Sequence, residues 1–320
     1  MLTLFPDLAP NESYRFSVSD IHNIYVEESG NKEGVPVVVF HGGPGLGCGR
    51  YLRRFFDAER FRIIMIDQRG AGRSQPLAET TENNADHLIA DVEFVRKELG
   101  VERWMVFGYD WGAALGLRYA QLHAESVLGI LLQGVMLAGR REAEWLFRDG
   151  CNRIFPDSWD EFVSLLDVDQ RADVLISYAE RLNSDNELVQ MQAAKSWASW
   201  MAHCSTLHPN QSVVDHYLSP HIAIALARLQ CHYFSNEGFL AQDEILKGME
   251  KLSAIPGVLV HGRYDMISPL SSALELQNAW KGSEIHIIRD AGHSIAESAI
   301  VDALINSTSK LLDKFEPQIA

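Results

Sequence analysis

The chain has 320 residues, 47% of them hydrophobic, and a formal net charge of −15 at pH 7. This length suits one α/β domain with a sizeable insertion, and the negative charge argues against nucleic acids and anionic membranes as partners. No signal peptide or membrane-spanning run is expected, because the N-terminus lacks a basic segment and every apolar run is short. Free thiols and a cytoplasmic location are expected, because no C-x-x-C pair occurs among Cys48, Cys151, Cys204 and Cys231.

Several short apolar runs occur in the first part of the chain. Residues 14–28 predict a pair of strands with a turn near Ser19, and continuous apolar runs predict buried strands over 35–40 and 61–66. Pro36 fits only at the very start of its strand, where no ladder N–H is needed. The alternation of these runs with helical patterns is typical of an α/β protein with a mostly parallel sheet.

A helix and two further strands follow. Residues 86–99 predict an amphipathic helix, with Gly100 as the residue that ends it. Residues 104–107 and 127–132 predict buried strands, and between them lies the turn Gly108 to Gly112 followed by a second helical pattern. The sheet therefore continues on both sides of a sharp glycine-bounded turn.

Strand patterns disappear in the middle of the chain and then return. The intervening region is rich in Trp, Tyr, His and helix formers, which indicates a helical cap. Strands resume over 255–260 and 284–288, and a helix is predicted over 298–314. We therefore predict a doubly wound α/β fold with a core of residues 1–136 and 252–320 and a helical cap of residues 137–251.

The turn around Asp110 has the pattern strand, Gly-x-Asp-x-Gly, helix. This pattern resembles the nucleophile elbow of α/β hydrolases, whose strained turn exposes a central side chain, usually serine, at a helix N-terminus. The alternative is that Asp110 is simply a helix N-cap, a role that aspartate often fills. As a nucleophile, Asp110 would be a carboxylate in the place of a hydroxyl.

Polar residues follow the predicted strands at the edge where ligands of open α/β sheets bind. Asp265 and His293 come after strands, downstream of Asp110, in the chain order nucleophile, acid, histidine. Singly, they could be a turn aspartate and one of twelve ordinary histidines. In that order at strand ends, they predict Asp110 as nucleophile, Asp265 as orienting carboxylate and His293 as base.

The loop after the strand over 35–40 begins His41-Gly42-Gly43-Pro44. In this fold that loop supplies half of an oxyanion hole, so the backbone N–H groups of Gly43 and Trp111 are predicted to face a developing negative oxygen. The segment 67–74 is expected to brace neighbouring loops. The other histidines lack a metal-ligand pattern, so neither a metal nor a cofactor is expected.

Several motifs resemble prolyl iminopeptidases (proline aminopeptidases): HGGPG at 41–45, DQRGAGRS at 67–74, GRYDMISP at 262–269 and AGHS at 291–294. The resemblance covers nearly the whole chain and implies an α/β-hydrolase core with a helical cap. It also implies a serine where this chain has Asp110, and two cap glutamates that hold the substrate's free amine. Those two positions are Met201 and Gln230 here.

The aspartate shapes the expected chemistry. Attack of a carboxylate on an amide would give a mixed anhydride, which is uphill, whereas attack on a strained sp³ carbon gives an alkyl ester. The D-W-G-A run at 110–113 is also similar to the elbow of epoxide hydrolases and haloalkane dehalogenases. We therefore expect epoxide hydrolysis to a vicinal diol, with His293 activating the water that cleaves the ester on Asp110.

The expected substrate is a small, apolar organic molecule held under the cap. A cap tyrosine among Tyr178, Tyr217 and Tyr233 is expected to protonate the alkoxide, and Tyr233 is preferred because it lies three residues from Gln230. The pocket residues expected in the cap are Trp197, Trp200, Met201, Gln230 and Tyr233.

Other functions stay open at this point. Haloalkane dehalogenation would use N–H donors such as Trp111 and Trp200 for the halide, and lactone hydrolysis is a further alternative. A different class is a prolyl iminopeptidase-like protein that binds a ligand without turnover, or an engineered Ser-to-Asp variant. The sequence does not specify the substrate, the stereochemistry or the oligomeric state.

Overall fold

The computed structural model describes residues 1–315, and its centre is one eight-stranded sheet in the order β1-β2-β4-β3-β5-β6-β7-β8. β1 pairs with β2 and β2 with β4 in antiparallel fashion, and all other pairs are parallel. The strands are β1 Glu12–Ser17, β2 Asn23–Gly30, β3 Val35–Phe40, β4 Phe61–Asp67, β5 Trp104–Tyr109, β6 Val127–Gln133, β7 Gly257–Gly262 and β8 Ser283–Ile288.

Helices cover both faces of the sheet, because the buried parallel strands have apolar side chains on both sides. Along β3, Val38 and Phe40 belong to the hydrophobic cluster on one face, and Val37 and Val39 belong to the cluster on the other. The helices are α1 Ala85–Glu98, α2 Trp111–Leu122, α3 Arg140–Phe147, α4 Cys151–Ile154, α5 Pro156–Val163, α6 Val174–Leu182, α7 Glu187–Ser205, α8 Gln211–Tyr217, α9 Pro220–Ser235, α10 Glu244–Lys247, α11 Leu270–Ala279 and α12 Ser298–Phe315.

The two faces are covered by different parts of the chain. Helices α1, α2 and α11 contribute buried residues to the cluster on the Phe40 face, which continues into the helices that follow β6. Helix α12 packs on the opposite face, together with the short helix Arg50–Phe55. Ile300 and Leu304 of α12 are fully buried there. The predicted doubly wound α/β fold is confirmed.

The region between β6 and β7 contains helices α3 to α10 in the described chain. Its interior is aromatic: the Phe162 ring stacks on Tyr178 at 4.4 Å and on Trp200 at 5.7 Å between centroids, and Trp197 packs edge-on at 5.9 Å. The cap boundaries at residues 137 and 251 stay a prediction, and the last five residues assigned to the core lie outside the described part. In that described part no helix is long and apolar enough to cross a membrane.

Element ends follow local chemistry. The Asn84 side chain accepts from the His87 N–H and caps α1, and Gly100 adopts φ +62° just beyond its end. The strand expected from residue 255 begins instead at Gly257. Pro256 has no N–H for the ladder, and the Ile255 N–H donates to the Leu252 carbonyl in the preceding turn.

Candidate active site

Asp110 stands on a strained turn between β5 and α2. Its backbone has φ 55° and ψ −126°, a conformation that non-glycine residues rarely adopt. The turn needs the flanking glycines, since a Cβ on Gly108 would lie 2.3 Å from the Gly112 oxygen and one on Gly112 2.1 Å from the Phe40 oxygen. The Asp110 side chain makes no capping hydrogen bond to α2 and is 4% exposed. This is the geometry of an elbow rather than of an ordinary N-cap.

His293 lies between the two carboxylates that the sequence singles out. Its Nδ1 is 3.0 Å and 2.9 Å from the two oxygens of Asp265, and its Nε2 is 3.8 Å from Asp110 Oδ1. Asp265 Oδ1 is also held by the backbone N–H groups of Ile267 at 3.0 Å and Ser268 at 2.8 Å. Nδ1 therefore donates to Asp265, and Nε2 is directed towards Asp110.

The predicted oxyanion-hole donors contact Asp110 itself. The Gly43 N–H donates to Asp110 Oδ2 at 2.7 Å. Asp110 Oδ1 is buried and has no hydrogen-bond partner among the described residues. One oxygen of the carboxylate is thus bound to the loop after β3, and the other faces His293 without a hydrogen bond.

The charges of the site are strongly coupled. Burial raises the pKa of Asp110 to about 6, although the His293 charge and the backbone N–H groups of Gly43 and Trp111 act in the opposite direction. Burial lowers the pKa of His293, but Asp265 and then Asp110 outweigh it and raise the value to about 9. The His293 charge holds the pKa of Asp265 below its ordinary value against the effect of burial. Between about pH 6 and 9 the favoured state is a carboxylate at Asp110 beside an imidazolium at His293.

A second histidine supports the orienting carboxylate, and the sequence interpretation missed it. His261 Nδ1 accepts the Val135 N–H at 3.2 Å, so its Nε2 carries the proton and donates to the Ser268 carbonyl at 2.8 Å. Nε2 is also 3.6 Å from Asp265 Oδ2. Burial lowers the pKa of His261, which favours the neutral ring. The signal in the sequence was its position near the end of β7, four residues before Asp265.

The loop after β3 is braced from β4. The Gln68 N–H donates to His41 Nε2 at 3.0 Å, so the protonated Nδ1 donates to the Gly42 carbonyl at 2.9 Å. The buried Asp67 accepts the Cys48 N–H at 2.6 Å and binds Arg73 through a salt bridge of 2.8 Å. The bracing role expected for residues 67–74 is therefore present.

A cavity of about 430 Å³ opens above Asp110 and His293. Its walls come from residues 46–52, from residues 293–296 just before α12 and from α8 of the cap. Most of the lining is apolar or aromatic, and it includes Leu46, Tyr51, Leu52, Tyr109, Val213, Tyr217, Ile295 and Ala296. A ligand in this cavity would contact the reactive groups directly.

The five cap residues predicted to bind substrate lie outside the lining of this cavity in the described structure. Trp197 Nε1 donates to Gln230 Oε1 at 2.7 Å, and Gln230 Nε2 donates to the Gly43 carbonyl at 2.9 Å. Met201 and Trp200 are 3% and 1% exposed within the aromatic interior. The Tyr233 hydroxyl donates to Asn83 Oδ1 at 2.9 Å, and its ring packs on Trp111. Their role in substrate binding stays a prediction.

Another cap tyrosine approaches the site. Tyr217, at the end of α8, lines the cavity together with Asp110, and burial and then the Asp110 charge raise its pKa. The Tyr178 hydroxyl is bound to the Phe162 carbonyl at 2.6 Å and is turned into the cap interior. The indole N–H of Trp111 donates to Gln68 at 2.9 Å. The spacing from Gln230 could not reveal Tyr217, because a neighbouring helix places it.

The fold and the site together define an α/β hydrolase. The family described as alpha/beta hydrolase fold matches residues 35–299. A proline iminopeptidase of Xylella fastidiosa strain Temecula1 is 41% identical over 98% of this chain and 100% of its own length, and that of Arabidopsis thaliana is 40% identical over 97% and 82%. The chain belongs to the proline iminopeptidase family of these hydrolytic enzymes.

Solved structures agree at the level of the fold. The proline iminopeptidase of Mycobacterium smegmatis superposes with a TM-score of 0.64 at 17% identity, covering 97% of this chain and 100% of that one. The esterase RhEst1 from Rhodococcus sp. ECU1013 has a TM-score of 0.63 at 18% identity, with 94% and 98% covered. At such identities the likeness concerns the fold alone.

These relatives correct the expected reaction. The prediction of epoxide hydrolysis is wrong, because relatives about 40% identical over the whole chain are proline iminopeptidases and not epoxide hydrolases. That prediction rested on the identity of Asp110 and on a run of four residues at the elbow. A match so short carries less information about descent than a similarity that extends over the core and the cap.

Proposed function

We propose that this chain hydrolyses an acyl compound, an amide or ester of an N-terminal residue such as proline, by direct attack of water. In this proposal Asp110 is the general base and His293 is the general acid. Membership of the proline iminopeptidase family supports the class of reaction. The departure from an acyl-enzyme mechanism follows from the carboxylate at position 110 and from its surroundings.

One observation carries the proposal. The buried Asp110 Oδ1 has no hydrogen-bond partner in the described chain and lies 3.8 Å from His293 Nε2, and the Asp110 residue lines the cavity. The pKa values of the two groups, about 6 and about 9, are pushed apart in the direction that keeps the base deprotonated and the acid protonated at neutral pH. Two neighbouring groups separated in this way are suited to the two halves of acid–base catalysis.

The proposed reaction transfers two protons and forms one bond. Asp110 Oδ1 takes a proton from a water molecule in the cavity while the water oxygen bonds to the acyl carbon. His293 Nε2 gives its proton to the leaving nitrogen or oxygen as the acyl bond breaks, which releases the acid and the amine or alcohol. The proton on Asp110 then passes to the neutral His293, and Asp265 holds the ring in place throughout. No bond to the protein forms, so the uphill mixed anhydride is avoided.

The same geometry predicts a slow enzyme. A positioned acid or base contributes roughly 10²–10⁴-fold to a rate, whereas loss of one oxyanion-hole donor costs roughly 10²–10³-fold. In this chain the Gly43 N–H is bound to Asp110 Oδ2 and is not free for the substrate. Turnover far below that of an enzyme with a free oxyanion hole is therefore expected.

A second candidate is binding without turnover, and that same bond favours it. Asp110 Oδ2 fills the hole at 2.7 Å from the Gly43 nitrogen and so resembles the oxygen of a reaction intermediate. In this alternative the cavity binds a ligand and the His293–Asp265 pair keeps Asp110 charged. Hydrolysis would then be undetectable above the rate of the His293→Gln variant.

A single-turnover experiment in H₂¹⁸O tests the proposal. Excess enzyme is mixed with aryl esters and arylamides of L-proline and other amino acids. Mass spectrometry then measures the mass of the acid product and of the peptide that contains Asp110. Direct attack places one ¹⁸O in the product and none in Asp110. Label in Asp110 would refute direct attack, and an absence of hydrolysis with ligand binding intact would favour the second candidate.

A further inference from the structure

We propose that Gln230 is a positioning residue: it latches the cap onto the loop of the oxyanion hole and thereby fixes the orientation of the Asp110 carboxylate. The inference deepens the proposed function and rests on it for any effect on turnover. Its structural content can be measured without turnover.

Three consecutive hydrogen bonds form the latch. Trp197 Nε1 on α7 donates to Gln230 Oε1 at 2.7 Å, and Gln230 Nε2 on α9 donates to the Gly43 carbonyl at 2.9 Å. The Gly43 N–H in turn donates to Asp110 Oδ2 at 2.7 Å. Trp197 and Gln230 are 0% and 1% exposed, so water does not compete for these bonds.

The chemistry of the amide matters as much as its position. The indole N–H of Trp197 is a donor only, so it fixes Oε1 on its own side and turns the NH₂ group towards Gly43. A carboxylate at position 230 could still accept from Trp197, but it would direct a negative oxygen at the Gly43 carbonyl oxygen. Glutamine and glutamate are therefore opposite in effect here: the first attracts the loop and the second repels it.

The loop has little freedom to adjust. Gly43 has φ +113°, and a Cβ at this position would lie 2.6 Å from the Gly45 nitrogen. Gly45 is pressed against α9 as well, because a Cβ there would lie 2.7 Å from the Ala225 carbonyl oxygen. Gly43 is thus held by the cap at its carbonyl and by Asp110 at its N–H. Without the bond to its carbonyl, the Gly43 peptide is held on one side only, and a small tilt of the peptide lengthens the bond from its N–H to Asp110.

The Gly43 amide proton reports on the latch directly. The bond between Gly42 and Gly43 is the only Gly–Gly peptide in the chain, so labelling glycine with ¹³C at the carbonyl and with ¹⁵N gives one unique correlation in a deuterated sample. In the unaltered protein the amide proton should resonate far downfield, because it donates to a carboxylate, and its shift should follow the titration of Asp110.

The test compares two matched substitutions. Gln230→Glu should move the Gly43 proton upfield and flatten its titration, and it should lower kcat roughly 10-fold or more with little change in KM. Gln121→Glu is the control, since Gln121 is 3% exposed and donates to the Ile245 carbonyl at 2.7 Å, without any bond to the loop. The control should leave the Gly43 signal unchanged.

The outcomes separate the two proposals. A folded Gln230→Glu variant whose Gly43 signal titrates as before overturns the latch, whether or not the protein turns over substrate. A missing reaction in the unaltered protein, with the signal shifted in Gln230→Glu and not in Gln121→Glu, supports the latch and counts against the proposed function. If Gln230→Glu fails to fold, Gln230→Met, which has similar length and no donor, takes its place with the same expected shift.

Discussion

The edge of the sheet and the cap hold their residues in different ways. At the edge, Asp110, Asp265 and His293 follow strands whose backbone is fixed by parallel pairing. The elbow also needs glycine at 108 and 112, because a Cβ there would lie 2.1–2.3 Å from backbone oxygens. In the cap, the aromatic side chains pack against one another and fix the interior without regular pairing. Reactive groups on strand ends can therefore be expected from the sequence, whereas the cap residues that meet the substrate depend on how helices pack.

The largest expected difference between the two regions concerns the effect on kcat of replacing two histidines. Both line the same cavity, His293 at the edge of the sheet and His216 on α8. His293→Gln removes the proposed general acid and should lower kcat by roughly 10²–10⁴-fold. His216→Gln should change kcat less than about threefold. Steady-state kinetics of both variants, with circular dichroism to check folding, makes the comparison. Equal losses would show that the two regions contribute alike to the reaction.

Replacing the proposed base by the serine that the family resemblance implies tests whether the edge alone determines the chemistry. Asp110→Ser should free the Gly43 N–H and raise ester hydrolysis by roughly 10²-fold, the value of one oxyanion donor. It should not restore efficient release of N-terminal proline, because Met201 and Gln230 give the cap no carboxylate for the amine at those positions. The measurement is kcat/KM for L-prolyl and cyclopentanecarbonyl arylamides, which differ only in the ring nitrogen. A strong preference of this single variant for the prolyl compound would show that the cap changes are incidental.

The buried charge at the edge should also be visible in stability. The pKa of Asp110 in the folded protein, about 6, is above its ordinary value, so its contribution to stability is present at low pH and is lost as the pH rises through about 6. Asp110→Asn should therefore gain unfolding free energy at pH 8 relative to pH 4, by up to about 3 kcal/mol for a shift of roughly two units. Weaker pairing with His293 would reduce this gain. Urea denaturation at both pH values measures it, and a pH-independent difference would contradict the raised pKa.

The pH dependence of the rate reports on both charged groups at the edge. The proposed mechanism needs Asp110 deprotonated and His293 protonated, so kcat/KM should fall as the pH drops below about 6 and again as it rises above about 9. Each limb should approach a tenfold loss per pH unit. In Asp110→Ser the basic limb should disappear, because a serine mechanism needs a neutral histidine. A profile of the unaltered protein that only rises through neutral pH would indicate that His293 acts as a base.

The sequence by itself determined the fold and the edge of the site. Periodic apolar runs specify strands and helices locally, and the rule that ligands bind at the carboxyl ends of parallel strands places Asp110, Asp265 and His293 together. Their distances agree with that expectation: 2.9 Å and 3.8 Å from the ring nitrogens of His293 to the two carboxylates. The two glycines of the elbow could also be predicted to form a tight turn, because few other residues fit where backbone segments approach closely.

Only the tertiary structure decided what surrounds those groups. Tyr217, and not Tyr233, borders the cavity, because α8 and not α9 forms its wall. His261 supports Asp265 through contacts with residues from two other segments, Val135 and Ser268. The bond from Gly43 to Asp110 depends on a loop orientation that no local pattern encodes. Such contacts depend on long-range packing. The expected reaction was corrected by similarity to relatives over the whole chain, and not by the four residues at the elbow.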